Sequence, residues 1–186
     1  MIVSIHQPNF VPWYPYFQKM LAVDKFIILS HCQFSKNGHQ NRFMIDDKWC
    51  TMSVKKGMRP ITEKLYSDPH ADWSKIKNKL PEYCEILDQF DDCIGQSLQQ
   101  TNVAIIKRLA EMLNIKTEIV FDYPTDLKST SRLVDLCEKY GASKYLAGAS
   151  GKSYLDLELF HNKNIDVSFQ ENATPKHVLE ILKNGI

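Results

Sequence analysis

Two short polar runs carry the side chains able to do chemistry. The first is His6-Gln7-Pro8-Asn9-Phe10-Val11-Pro12-Trp13, and the second is Gln33-Phe34-Ser35-Lys36-Asn37-Gly38-His39-Gln40-Asn41-Arg42. Each places amides, an imidazole and aromatic rings in a stretch that neither a core nor an ordinary turn requires. The amides of Gln7, Asn9, Gln33, Gln40 and Asn41 can read a polar ligand, and Trp13 and Tyr16 can stack on it. Arg42 offers a planar fork for carboxylate or phosphate, and Lys36 a point charge. His6 and His39 are candidate proton acceptors, since an unperturbed imidazole titrates near neutrality. Each has a plainer reading as well: a hydrogen-bonded structural histidine, or for Arg42 a surface ion pair.

A third run, Gly148-Ala149-Ser150-Gly151-Lys152-Ser153, ends like a phosphate-binding loop. It has two residues between its glycines where that motif needs four, so it cannot wrap a phosphate chain in the usual way. A short turn of Gly148, Ser150 and Gly151 after a strand still exposes backbone N–H groups suited to an anion, and equally forms with no ligand. Asp156 is either a general base or a helix-start carboxylate favoured by the dipole. No nucleophile–base pair follows from spacing. His6, His31 and His39 have no matching acidic ligand or helical spacing, so neither a metal nor another cofactor is expected.

These runs need strands and helices to hold them. Residues 2–5 form a short β-branched run, residues 26–29 a second apolar strand, and residues 13–22 a helix between them. Pro8 and Pro12 keep the intervening loop out of the helix. That order favours parallel pairing with a right-handed crossover. Residues 49–54 read as a strand at an edge or in a hairpin. The middle, about 72–114, reads as helical, with Asp72 capping a helix that starts at Trp73 and a strong amphipathic helix over 101–113. Strands over 116–121, 144–147 and 165–169 then alternate with a helix over 131–140, closed by Gly141. Thr174-Pro175 reads as the start of a terminal helix. The expected fold is α/β: a three-layer, mostly parallel Rossmann-like sheet with a helical middle segment, in one domain over residues 1–186. In such a sheet ligands bind beyond the carboxyl ends of the strands, where all three runs fall.

The 186 residues suit one buried core, and 44% apolar and 24% charged residues are ordinary for a globular protein. A net charge of +1 gives no global pull toward nucleic acid or membrane. Between Lys36 and Lys64, however, seven Lys/Arg stand against three Asp/Glu. That stretch is either a phosphate-facing surface or a solvated charged face. Five cysteines without paired spacing imply reduced thiols. With no apolar run of about 20 residues and no leader pattern, a cytoplasmic location and no membrane partner are expected.

Taken in order, the first two runs, then Thr130-Ser131-Arg132-Leu133, then Gly148 through Tyr154-Leu155-Asp156 resemble the WbqC-like family. The resemblance covers residues 1 to about 169, and more weakly the rest. Its members typically carry Trp-x-Gly-Tyr where this chain has Trp13-Tyr14-Pro15-Tyr16. They usually have two aspartates after the second strand, where Ser30 and His31 stand, so this is a compact, divergent relative. His31 or His39 is then the available substitute for those carboxylates. The early strand–loop–helix order is also similar to that of nucleotidylyltransferases, with Trp13 and Tyr16 where those enzymes carry paired histidines.

The resemblance implies a transferase that joins an amino acid or other amine, glycine-like, to a phosphate-activated carrier. The carrier is a nucleotide sugar of surface-polysaccharide synthesis or a pyrophosphorylated hydroxymethyl-pyrimidine in phage DNA, so DNA is a conditional partner. Lys36, Arg42 and Arg132 would hold phosphates, and Gln7, Asn9, Gln40 and Asn41 would read base or sugar. His6 or His39 would take the proton from the attacking ammonium. Thr130 and Tyr154 join the site as parts of the matching blocks. The alternative is a non-catalytic nucleotide- or partner-binding protein, since the residues show no complete catalytic set.

Overall fold

The computed structural model describes residues 1–185. Strand β1 (Ile2–His6) leads through α1 (Tyr14–Leu21) to β2 (Lys25–Ile28). A hairpin follows, β3 (Arg42–Ile45) and β4 (Lys48–Thr51), then helices α2 (Pro69–Lys79), α3 (Cys84–Leu87) and α4 (Leu98–Met112). The second half alternates: β5 (Glu118–Phe121), α5 (Ser129–Lys139), β6 (Lys144–Ala147), α6 (Leu157–His161), β7 (Asp166–Phe169) and α7 (Val178–Asn184).

Five strands form one sheet in the order β5-β2-β1-β6-β7, every neighbouring pair parallel. Numbered along the chain, that order is 3-2-1-4-5, the doubly wound arrangement. Side chains alternate across the sheet. Phe26 and Ile28 of β2 therefore pack with α1, α4 and α7 on one face. Val3, Ile5 and Ile27 pack with α5 and α6 on the other. Burial on both faces explains why the central strands read as unbroken apolar runs. The three-layer α/β expectation holds.

Several local boundaries differ from the sequence reading. Arg42, the last residue of the second polar run, opens a strand, β3, that the sequence reading did not assign, and its hairpin with β4 closes through Asp46 (φ 48°) and Asp47 (φ 58°). Two consecutive positive φ values make the mirror-image turn that matches strand twist. Helix α2 starts at Pro69, with the Asp68 carboxylate accepting from the Ala71 N–H at 3.4 Å. Asp72 instead accepts from the Ser53 N–H at 2.8 Å and ties the hairpin to that helix. Helix α4 starts earlier than expected, at Leu98, under a Ser97 cap. The terminal helix starts at Val178 and not at Pro175, because His177 caps it. Its ring accepts from the Leu179 N–H at 3.3 Å while the Glu180 carboxylate accepts from the His177 N–H at 2.6 Å.

From β1 the chain winds outward through β2 to β5, then returns to the opposite side of β1 as β6. The connections diverge there, so a crevice opens beyond the carboxyl ends of β1 and β6. His6 ends β1, and Gly148 follows β6.

Candidate functional site

Two cavities occupy this crevice, and His6 lines both. The smaller, about 350 Å³, is walled by Asn9, Trp13, Tyr16, Lys19, His39, Gly148 and Gln170 with apolar Phe10, Pro12, Pro15 and Phe43. The larger, about 590 Å³, is walled by Gln7, His31, Cys32, Gln33, Lys128, Ser129, Arg132 and Tyr154, among others. His6 stands edge-on to the Tyr16 ring, with centroids 4.7 Å apart. Its Nδ1 lies 3.0 Å from the Gln7 carbonyl, which can only accept, so Nδ1 carries the proton and Nε2 is an acceptor. Burial lowers the imidazole to about 3, and the Lys19 ammonium pushes the same way. His6 is therefore neutral at physiological pH, a hydrogen-bonding group more than a strong base.

The two polar runs do converge, but several of their amides fasten the runs to each other. The Phe10 N–H donates to the His39 carbonyl at 2.8 Å, and Gln40 Nε2 donates to Gln7 Oε1. Fully buried Asn102 of α4 bridges both backbones, donating to the carbonyls of Pro8 (2.8 Å) and Gln40 (2.6 Å). Asn41 donates to the Met52 carbonyl at 2.7 Å. Gly38 sits where a Cβ would lie 2.9 Å from Gln40 Oε1, so a side chain there would displace this clasp. Gln7 still reaches the larger cavity, while Asn9 turns an unpaired amide to the smaller one.

Behind the wall of the larger cavity, which His31 and Arg132 line, lies a charged cluster that sequence spacing did not reveal. Asp122, just after β5, has a fully buried carboxylate. It accepts from the backbone N–H groups of Ser30 (3.0 Å) and His31 (2.9 Å), from the Ser30 hydroxyl (3.1 Å) and from His31 Nδ1 (2.9 Å). Arg132 Nη2 lies 3.3 Å behind it. A carboxylate that follows β5 thus reaches Ser30 and His31, the two positions after β2 where the resemblance implies aspartates. Arg132 is itself clamped by Asp135 at 3.0 Å, by the Tyr123 carbonyl, and by the Tyr123 ring 4.5 Å below it. Its charge is largely compensated before any ligand arrives.

The remaining expected residues are distributed as follows. His39 borders the smaller cavity and stacks on Trp49, centroids 6.1 Å apart, while the Arg42 guanidinium lies 4.2 Å over the same indole. Burial, then Arg42, hold the His39 imidazole below its usual range. Arg42 also donates to the Asn37 carbonyl, and its buried Nε has no partner. Gln33 donates to the Arg59 carbonyl at 2.9 Å, and Lys36 is exposed. Asp156 is the N-cap of α6, accepting from the Glu158 N–H at 3.1 Å, and its own N–H donates to Thr130 Oγ1 at 3.1 Å. Gly151 packs against Ala147, Leu155 and Phe169, and Ser150 is exposed beside it. Lys36, Gln40, Asn41, Arg42, Thr130, Ser150, Gly151 and Asp156 line neither cavity.

Lys19, Asp122 and His177 were not picked out from the sequence. A lysine three residues after Tyr16, on the helix face that also buries Phe17 and Met20, was the available signal for the first. Among the described residues no group of three or more His, Cys, Asp or Glu could hold a metal, and no helix is long and apolar enough to cross a membrane. All five cysteines are unpaired.

A doubly wound parallel sheet with two cavities at its switch point makes this an α/β protein of Rossmann-like architecture. The chain belongs to the WbqC-like protein family, whose model matches residues 7–178. It is 30% identical to the uncharacterized protein Rv1507c of Mycobacterium tuberculosis, across 90% of this chain and 80% of that protein. No solved structure matches it.

Proposed function

We propose that the protein transfers a small amine, such as glycine, to a phosphate-activated carrier, with the reacting centre between the two cavities at His6. The observation that carries this reading is the contrast between the cavities. The wall of the smaller carries the Lys19 ammonium among mostly apolar and aromatic side chains; that of the larger carries the His31 imidazole, oriented from behind by the buried Asp122 carboxylate. The carrier's phosphates would lie in the larger cavity near Lys128 and the amino end of α5, where backbone N–H groups favour an anion. Lys36 and Arg42 would meet the rest of the carrier outside. Asp122 holds His31 in the tautomer whose Nε2 can accept a proton. His31 would take that proton from the ammonium, and the freed amine would attack the phosphate-bearing carbon. As the C–N bond forms, the C–O bond breaks and its electron pair leaves on the phosphate.

The test is an assay of glycine with a nucleotide sugar and with pyrophosphorylated hydroxymethyl-pyrimidine DNA. The expected result is turnover on one carrier, reduced about 100-fold or more in His31→Gln. Turnover unchanged in that variant would remove His31 from the proton transfer. A polymer carrier would also bind with a steep salt dependence through Lys55, Lys56 and Arg59. A non-catalytic binding role draws support from the engagement of Arg132, Gln40, Asn41 and Asp156 in the fold. Tight nucleotide binding with no turnover on either carrier would favour it.

A further inference from the structure

Lys19 projects from α1 into an almost closed setting: 3% exposed, with no carboxylate in ion-pair range among the described residues. Its Nζ lies 5.9 Å from the Phe26 ring centroid and borders the smaller cavity. Nearby, the Trp13 indole Nε1 is buried without any hydrogen-bond acceptor. Lys19 lines the hollow with an ammonium that has no protein partner, and Trp13, whose buried indole N–H is also unpartnered, lines the same hollow; buried donors are normally paired, so the pair calls for an acceptor that the chain does not supply. We propose that the smaller cavity is a carboxylate site, with Lys19 and Trp13 Nε1 as its donors and a small amino acid as its ligand.

The rest of the wall narrows the chemistry. A single ammonium balances a monoanion; a phosphate dianion would leave net charge among Phe10, Pro12, Pro15 and Phe43. Acceptors for an ammonium are also present. Neutral His6 offers Nε2, and Gln170, whose Nε2 donates to the Pro15 carbonyl at 2.8 Å, has Oε1 to offer. Donors and neutral acceptors lining one cavity suit a zwitterion. Its amino group would then face His6, the residue shared with the larger cavity. The amine's identity rests on the transferase reading, whereas the carboxylate site stands on the cavity's own groups.

Calorimetric titration of glycine, acetate and inorganic phosphate into the full chain tests this, with Lys19→Met, Lys19→Arg and Trp13→Phe as variants. Glycine and acetate should bind the wild type, weaken about 30-fold or more in Lys19→Met and about fivefold in Trp13→Phe, and recover in part in Lys19→Arg. Thermal melts confirm folding. Should Lys19→Met not fold, the Nζ resonance of Lys19 in the wild type must shift on adding acetate. Equal binding by wild type and Lys19→Met, an unmoved Lys19 resonance, or preference for phosphate over acetate would each overturn the site. Glycine bound through Lys19 but never transferred would leave the site standing and remove the transferase reading. Transfer undiminished in Lys19→Met would do the reverse.

Discussion

His177 donates its Nε2–H to the Val11 carbonyl at 3.1 Å, tying a residue near the chain's end to the tightest turn of the first polar run. Val11 has φ 41°, which a β-branched residue adopts only when its surroundings impose it. The same histidine stacks on Phe43 at 5.0 Å, and a backbone bridge pairs it with Trp13. The C-terminal cap therefore fixes the loop that carries Asn9 and Trp13 into the smaller cavity.

Replacing His177 by alanine should destabilise the protein by about 3 kcal/mol, summing a lost cap, a buried hydrogen bond and a cavity. Urea unfolding measures it. A loss under about 1 kcal/mol would show that the Val11 turn is held by other contacts.

Acid should unfold the protein through its buried imidazoles. Burial lowers both His6 and His177 from 6.5 to about 3. The unfolded chain then binds more protons between those values, so stability rises with pH through that window and falls on acidification. Each group contributes roughly 1.4 kcal/mol per pH unit at most. Melting followed from pH 4 to 6 should show a slope about one proton smaller in His177→Asn than in the wild type, the contribution of His39 and of the lowered carboxylates being common to both. Equal slopes would mean that His177 is not buried in its neutral form.

Lys19 should show the opposite trade between stability and binding. Burial lowers its ammonium from 10.5 to about 8. The unfolded chain keeps that proton to higher pH, so the Lys19 contribution makes the fold more stable as pH rises from about 8 toward 10.5. His6, Tyr16 and His39 face the same cavity: burial lowers the two imidazoles away from that window, but it raises the phenol, whose unfolded value of 10.0 lies inside the window and works in the opposite direction, so the Lys19 contribution is read as the difference between wild type and Lys19→Met. Lys19→Met should stabilise the protein at pH 7 by on the order of 1–3 kcal/mol. Differential scanning calorimetry at pH 7 and pH 9.5 checks both signs. Destabilisation at pH 7 would show that the ammonium is well solvated or paired.

Asp122→Asn should cost about 3 kcal/mol, because it leaves Arg132 short of a buried partner and His31 without its orienting acceptor. His31→Gln, on a partly exposed ring, should cost under about 1 kcal/mol. Thermal melts separate the two, and comparable losses would place His31 in the structural cluster and not at a reactive surface.

The strand–helix alternation, the two polar runs and the position of the glycine turn were legible because each depends on local pattern: apolar runs, prolines and polar clusters beside them. The element starts at Pro69 and Val178 were missed because competing caps lay within one turn of each other. Geometry chose Asp68 and His177 over Asp72 and Thr174 as caps, and Ser97 starts a helix that the apolar spacing placed only from residue 101. Strand β3 was missed because four residues, with Arg42 first, show no distinctive period.

What the order of residues determined by itself was the layered α/β scaffold and the edge at which chemistry-bearing side chains gather. Hydrophobic periodicity and turn residues act within a few positions of one another, so they survive in a one-dimensional reading. Which polar side chains face a cavity and which are consumed within the fold was decided by packing alone. Gln40 and Arg132 found partners brought from other segments and Asp156 was consumed as a helix cap, while Lys19 and the Trp13 indole found none. Hydrogen-bond satisfaction is a property of neighbours in space, and 62 or 94 residues can separate such neighbours, as Asn102 is separated from Gln40 and Pro8.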